Sequence, residues 1–211
     1  AQDLLAYLNE KYSPDEHFSV SVLEKYLRFP FAFFMEKVLE IRETEKVETE
    51  LDSMTRGSIL HDALYRFHKY YAGISVKDLL AGDEEEVRNY MAECVRDAFE
   101  AAAPELDAVP DVILHIEQRR IMETLQRYLN RMAKDFDDPL VPSHFEIVFG
   151  RAYRDGTDDL NTTEPFVLDL DGDKVLLTGR IDRIDTDGEG ARIIDYKTSR
   201  APSSGYIKAG L

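Results

Sequence analysis

Cysteine is nearly absent from this sequence. Cys94 stands alone among 211 residues, which excludes an internal disulfide framework and any metal site built from cysteines only. A reducing, cytoplasmic setting is the expectation that follows. Long hydrophobic runs are absent too. No stretch approaches the roughly 20 apolar residues of a membrane span, so neither membrane association nor a secretory leader is expected. No internal repeat or low-complexity linker interrupts the chain. Basic residues are scarce: 26 Lys and Arg face 42 Asp and Glu, a formal net charge of −16. Nucleic-acid binders usually show the opposite balance. What is present in quantity is apolar surface. Hydrophobic residues make up 44% of the chain, enough to exclude a disordered polymer and to build one sizeable core.

The acidity is concentrated. Residues 83–111 hold ten acids and two bases, and residues 155–173 hold seven acids and no base. Outside these two stretches the chain is close to neutral. A near-neutral remainder leaves room for a basic groove, so net charge does not exclude a polyanionic partner. Both acidic stretches are expected to be solvated surface.

The first two-thirds read as helix. Residues 3–11 form a short amphipathic helix. Ser21 with Glu24 resembles a capping box, and Pro30 ends one helix or opens the next. Phe31, Phe33, Phe34, Val38 and Leu39 are expected to face a core. Apolar residues at 59, 60, 63, 64 and 67 mark a helix over 57–71, stopped by Gly73. Longer helices are expected over 83–103 and 110–136, the latter with Ile113, Ile116, Ile121, Leu125, Leu129 and Met132 on one face. Past residue 142 the period changes to two. Strands are expected at 144–149, 165–170, 174–184 and 191–198. Asp171-Gly172-Asp173 joins the second to the third as a hairpin. The organisation is therefore a helical portion, 1–141, followed by a β-rich part, 142–211. A sheet that ends so near the last residue lacks a cover, and the chain is expected to be a piece of a longer protein.

Chemistry concentrates in Gly179-Arg180-Ile181-Asp182-Arg183-Ile184-Asp185 and Asp195-Tyr196-Lys197-Thr198. In a strand, residues i and i+2 share a face. Asp195 and Lys197 therefore point one way and Tyr196 the other. Asp182 and Asp185 lie on opposite faces of their strand, and a hairpin sets Asp182 beside Asp195. Two such carboxylates repel unless a proton or cation lies between them. A hard divalent metal, Mg²⁺ or Mn²⁺, suits an oxygen site of this kind. A lysine beside it orients a water or stabilises a phosphate oxyanion. The same residues also make an ion-paired hairpin, Asp195 with Arg180 or Arg183 and Lys197 in solvent. Spacing alone leaves both readings open. The loops 185–190 and 169–173 hold acids and glycine in an order that invites comparison with calcium loops, but both read as hairpin turns, since the ligand spacing and flanks are wrong.

Asp182, followed after twelve residues by Asp195-Tyr196-Lys197, resembles the PD-(D/E)xK nuclease motif. The surrounding words resemble more narrowly the RecB/AddB-type nuclease domain of helicase–nuclease subunits. Residues 19–26 with 30–34 resemble its entry helices, and Arg56-Gly57-Ser58-Ile59-Leu60-His61 its arginine-glycine and histidine signature. Phe145-Glu146 through Phe149 resembles the first core strand. In this order the pieces span residues 19–200. The resemblance implies an α/β fold: a restriction-endonuclease-like core, a mixed sheet of about four strands, with a large N-terminal helical portion. It implies that His61, Asp182, Asp195 and the backbone carbonyl of Tyr196 hold Mg²⁺ or Mn²⁺, that Lys197 is catalytic together with the two acids, and that Glu146 stands behind them. Taken by itself, His61 is an ordinary surface or core histidine. His68 has no counterpart in the motif and is expected to be structural.

Two departures stand out. Many AddB-type domains hold an iron–sulfur cluster, with one cysteine in an Arg-Cys-Pro-Phe segment. Here that segment is Arg28-Phe29-Pro30-Phe31, so no iron–sulfur cluster is expected within this chain; either Phe29 packs in its place or cysteines lie elsewhere in a longer protein. The family also follows its lysine with a helix carrying a glutamine and a tyrosine, a pair that 204–211 does not supply. The expected function is a metal-dependent deoxyribonuclease acting on DNA, single-stranded or at unwound ends, with a helicase partner in recombinational repair. The alternative is a catalytically inactive nuclease fold that binds DNA or a helicase. A chain this acidic is expected to bind DNA weakly by itself.

Overall fold

A computed structural model describes residues 2–13, 15–41, 51–135, 139–153, 158–170 and 172–197. The expectations for Thr198 and for 204–211 lie outside them. The elements run α1 (Gln2–Lys11), β1 (His17–Ser19), α2 (Val20–Arg28), α3 (Pro30–Phe33) continued by a π-helical turn (Phe34–Val38), then α4 (Ser53–Tyr70), α5 (Val76–Gly82), α6 (Glu84–Ala101), α7 (Ala103–Leu106), α8 (Asp111–Asp135), β2 (Val141–Phe149), β3 (Phe166–Leu170), β4 (Asp173–Thr186) and β5 (Ala191–Ile194). The sheet has five strands rather than about four. Its order is β1-β4-β2, with β3 and β5 also pairing to β4. β1 joins β4 in parallel, His17 opposite Leu176, whereas β3 and β5 are antiparallel to β4. At three residues, β1 is too short to show alternation.

Two compact units divide the chain. One comprises Ala1–Lys46 with Glu146–Ile181, the other Val47–Phe145 with Asp182–Leu211. In the first unit the cap of α2 is Ser19, whose side chain accepts from Val22 N at 3.4 Å, and not Ser21. Pro30 opens α3, where its missing N–H costs nothing. The expected aromatic core is only partly realised: Val38 is buried, but Phe31 and Leu39 are exposed. Phe29 is 64% exposed, so it does not pack in place of a cysteine. Gly150 sits at φ +74, and a Cβ there would stand 2.7 Å from Thr178 Cγ2 and 3.0 Å from the Leu177 carbonyl. Gly150→Ala is therefore expected to destabilise the protein by about 1–3 kcal/mol, strain and overpacking together. Urea unfolding measures it, and a stability equal to wild type would contradict the clash.

The second unit holds the main core. α4 contributes Ile59, Leu60, Ala63, Leu64 and Phe67; α6 contributes Val87, Met91, Cys94, Val95 and Ala98; α8 contributes Ile121, Leu125 and Leu129. Each of α4, α5 and α6 starts on a polar cap: Asp52, Ser75 and Asp83 accept from backbone N–H groups of the first turn. Part of the first acidic stretch thereby finds its reason. Glu84, Glu85 and Glu86 occupy the first turn of α6, where the helix dipole favours negative charge. Cys94 is buried, and burial pushes its thiol up to about 11. On α8 the expected apolar face is shifted. Ile116 is exposed and Glu117 is buried, because Arg56 Nε at 2.8 Å and Arg120 Nη1 at 2.9 Å both donate to the Glu117 carboxylate. No helix among the described residues is long and apolar enough to cross a membrane.

Candidate active site

Within the second unit, α4, the end of β4 and the segment after β5 bring their polar residues together. The antiparallel ladder of β4 and β5 pairs Thr186 with Ala191, Asp185 with Arg192, Ile184 with Ile193 and Arg183 with Ile194. The next rung of that register would set Asp182 opposite Asp195. β5 ends at Ile194 instead. The Asp182 carboxylate takes over the bonding of the departing chain: its Oδ2 accepts from the Tyr196 backbone N–H at 2.7 Å. The expected strand through Thr198 is thus cut short by a side-chain bond.

His61 closes the same corner from α4. Its Nε2 lies 2.9 Å from the Tyr196 carbonyl oxygen, and its Nδ1 lies 3.4 Å from Asp182 Oδ1. A carbonyl only accepts, so Nε2 carries the proton of this bond. Asp182 is 8% exposed. An imidazole, a nearly buried carboxylate and a backbone carbonyl thus converge. The two remaining residues lie at the surface. Asp195 and Lys197 are both 56% exposed and pair with each other, Lys197 Nζ 2.8 Å from Asp195 Oδ2. They share a face, as their period-two spacing requires. Neither alternative ion pair of the hairpin forms: Arg183 pairs with Asp185 and Arg180 with Glu146.

Glu146 belongs to the other unit. It lies in β2 with φ +53, in the left-handed region that non-glycine residues rarely occupy, and it receives the Arg180 guanidinium at 2.7 Å. The two acidic loops close as turns. Asp187 Oδ1 accepts from Glu189 N and Gly190 N, bonds that hold its carboxyl below the usual range, and Asp169 Oδ1 accepts from Gly172 N.

Beneath the corner lies a set of residues that motif reading passed over. Arg183 is fully buried. Its Nη1 lies 2.7 Å from His68 Nε2, 2.8 Å from the Tyr128 hydroxyl and 3.2 Å from the Tyr196 hydroxyl. Its Nε and Nη2 reach Asp185 at 2.7 and 3.0 Å. Arg192 Nη2 donates to the same carboxylate at 2.9 Å. Burial, then the charge of Arg183, holds His68 well below its ordinary pKa, so it is neutral and accepts at Nε2. Burial pushes the Tyr196 hydroxyl well above its ordinary value. Burial opposes the Arg183 charge too, yet the two tyrosines and Asp185 raise its pKa above the ordinary arginine value. The signal for this set was present: Arg183 and Asp185 share a strand face, and His68 lies two turns from His61 on α4.

The model of the PD-(D/E)XK nuclease superfamily matches residues 17–208. The chain belongs to this superfamily. Its mixed sheet with flanking helices is the restriction-endonuclease-like α/β fold of that superfamily. Similar proteins are much longer, and they are large subunits of ATP-dependent helicase/deoxyribonucleases. The one from Ruminiclostridium cellulolyticum is 30% identical over 198 residues, 90% of this chain but 16% of the relative's length. Its counterpart in Acetivibrio thermocellus is 31% identical over 187 residues, 85% and 15% of the two chains. That of Clostridium kluyveri is 28% identical over 206 residues, 92% and 16%. The chain thus spans about one-sixth of the curated relatives it matches.

Proposed function

We propose that this chain is the catalytic part of a metal-dependent deoxyribonuclease that hydrolyses DNA phosphodiesters. The observation that carries the reading is the convergence of His61, Asp182 and the Tyr196 carbonyl in one unit. Adjacent corners of an octahedron with bonds of about 2.1 Å lie about 3.0 Å apart. The 2.9 Å between His61 Nε2 and the Tyr196 carbonyl fits that edge. Oxygen donors suit Mg²⁺, and the imidazole among them admits Mn²⁺ as well. In this reading His61, Asp182, Asp195 and the Tyr196 carbonyl hold the ion. Residues 1–141 supply the helical portion that carries His61, and residues 142–211 supply the β-rich part with the acids and the lysine. Glu146 stands behind the site.

The bound ion would supply Lewis-acid polarisation of the phosphate. The chain supplies the rest. Asp182 orients the Tyr196 amide and adds negative charge at the corner. Lys197, carried on the same face as Asp195, orients the attacking water and balances charge that grows on the phosphate oxygens. A water oxygen bonds to phosphorus, one ester P–O bond breaks, and the leaving alkoxide takes a proton.

The relatives are named as subunits of a helicase–deoxyribonuclease. By that likeness the parent protein works with a helicase on unwound DNA in recombinational repair, in the cytoplasm. The net charge of −16 fits dependence on a more basic partner for grip on DNA. No iron–sulfur cluster enters the proposal for this chain, since Cys94 lies in the core of the second unit.

Nuclease assays with Mg²⁺ or Mn²⁺ test the reading on the full chain. Wild type is expected to cleave DNA, and Lys197→Ala to lose about 10²–10³-fold in kcat, the range for removing one stabilising donor. Asp195→Ala is expected to lose activity as well. DNA binding with equal, metal-independent background in all three would leave an inactive nuclease-fold module instead.

A further inference from the structure

The segment 195–197 carries the residues of the proposed site, yet β5 ends at Ile194, one residue before it. Sheet pairing therefore does not hold it. Tyr196 is fixed at three other points. Its N–H donates to Asp182 at 2.7 Å, its carbonyl accepts from His61 at 2.9 Å, and its hydroxyl meets Arg183 Nη1 at 3.2 Å. Its ring also stands edge-on to His61 and Tyr128, at 5.7 and 6.1 Å between centroids. The first two points belong to the site itself. The third reaches into the buried set, where Arg183 is held by His68, Tyr128 and Asp185.

We propose that Arg183 is a positioning residue for the nuclease site: by holding the Tyr196 hydroxyl it fixes the Tyr196 carbonyl and the flanking Asp195 and Lys197 where the ladder no longer does. This rests on the metal-site reading above and deepens it. A guanidinium suits the task. Its planar fork presents five donors, enough to grip Asp185 on one edge while Nη1 serves the tyrosines and His68. It keeps its charge at any pH where the protein is folded, so the anchor does not titrate. The side chains alternate along β4: Asp182 meets the Tyr196 amide and His61, while Arg183, the next residue, meets the tip of the same tyrosine. One tyrosine is thus gripped by two consecutive residues of one strand, at its backbone and at its tip.

Tyr196→Phe is the informative variant, because it deletes the gripped oxygen and keeps the ring. Arg183→Lys tests the same link from the other end, with a larger risk to folding. Two measurements on the full chain separate the possibilities. The first is Mn²⁺ titration by calorimetry. Tyr196→Phe is expected to bind Mn²⁺ about 10-fold more weakly, at the lower end of the range for groups that orient metal ligands. The second is hydrogen exchange without metal. In Tyr196→Phe the amide of residue 196 is expected to exchange faster, while the amides of Ile184 and Ile194 stay as in wild type. A purely structural role would move all of them alike. Unchanged exchange at residue 196 together with unchanged Mn²⁺ affinity overturns the inference. Wild type that binds no Mn²⁺ overturns the metal reading, and local exchange at residue 196 then still decides whether Arg183 anchors the segment.

Discussion

Asp182→Asn is expected to lose about 10³-fold in phosphodiester hydrolysis and to abolish measurable Mn²⁺ binding while the chain stays folded. The substitution separates two jobs of one side chain. Asp182 Oδ2 accepts the Tyr196 N–H at 2.7 Å, and an amide oxygen of the same shape accepts that bond too. The local backbone is therefore preserved. What disappears is the negative charge 3.4 Å from His61 Nδ1, which the proposed site needs to draw in a divalent cation. A thousandfold loss equals about 4 kcal/mol of transition-state stabilisation, within the several kcal/mol a Lewis acid contributes. Asp182→Ala removes both the charge and the acceptor, so its amide at residue 196 is expected to exchange faster as well. Single-turnover cleavage and calorimetric titration measure the pair. If Asp182→Asn cleaves as wild type does, Asp182 is a backbone cap only, and the metal reading loses its central ligand.

Much of this arrangement was legible in the sequence where the physics is local. The period of two sets Asp195 and Lys197 on one face, and they do meet, at 2.8 Å. The turn residues Asp171-Gly172 set the β3–β4 register, with Leu170 opposite Asp173. The helical period of α4 and α6 predicts their buried faces residue by residue. What failed was decided by partners far away in the chain. Ile116 looked like core, but Arg56 makes Glu117 the buried residue of that turn. β1 has no pattern of its own and exists through its pairing with β4. β5 stops early because a side chain, Asp182, satisfies the Tyr196 amide that a ladder would otherwise have used. The set around Arg183 was half legible. The Arg183–Asp185 spacing announces a shared face, whereas Tyr128 and His68 meet the guanidinium across 55 and 115 residues of chain. No periodicity reports such a meeting.

The charge in that set makes the second large effect. Asp185→Ala is expected to destabilise the protein by about 3–5 kcal/mol, the cost of leaving one member of a buried ion pair alone. Asp185 is 1% exposed and Arg183 is fully buried. Arg183 cannot shed its proton to escape the penalty, and neutral His68 offers it no countercharge. Against a total stability of about 5–15 kcal/mol, this removes a large share. An exposed pair such as Arg66 with Asp62, at 2.9 Å, is worth about 0–1 kcal/mol by comparison. Urea unfolding measures both, and an Asp185→Ala loss no larger than that of Asp62→Ala would contradict the buried-charge argument. The double variant Arg183→Met/Asp185→Leu carries the argument further. Apolar residues of similar size often replace a buried pair at little or no cost, so stability is expected to return most of the way to wild type. The Tyr196 hydroxyl then has no guanidinium to hold it, so Mn²⁺ affinity is expected to stay low although the fold is restored. Stability that returns together with full metal affinity would show that the buried pair serves the fold and not the site.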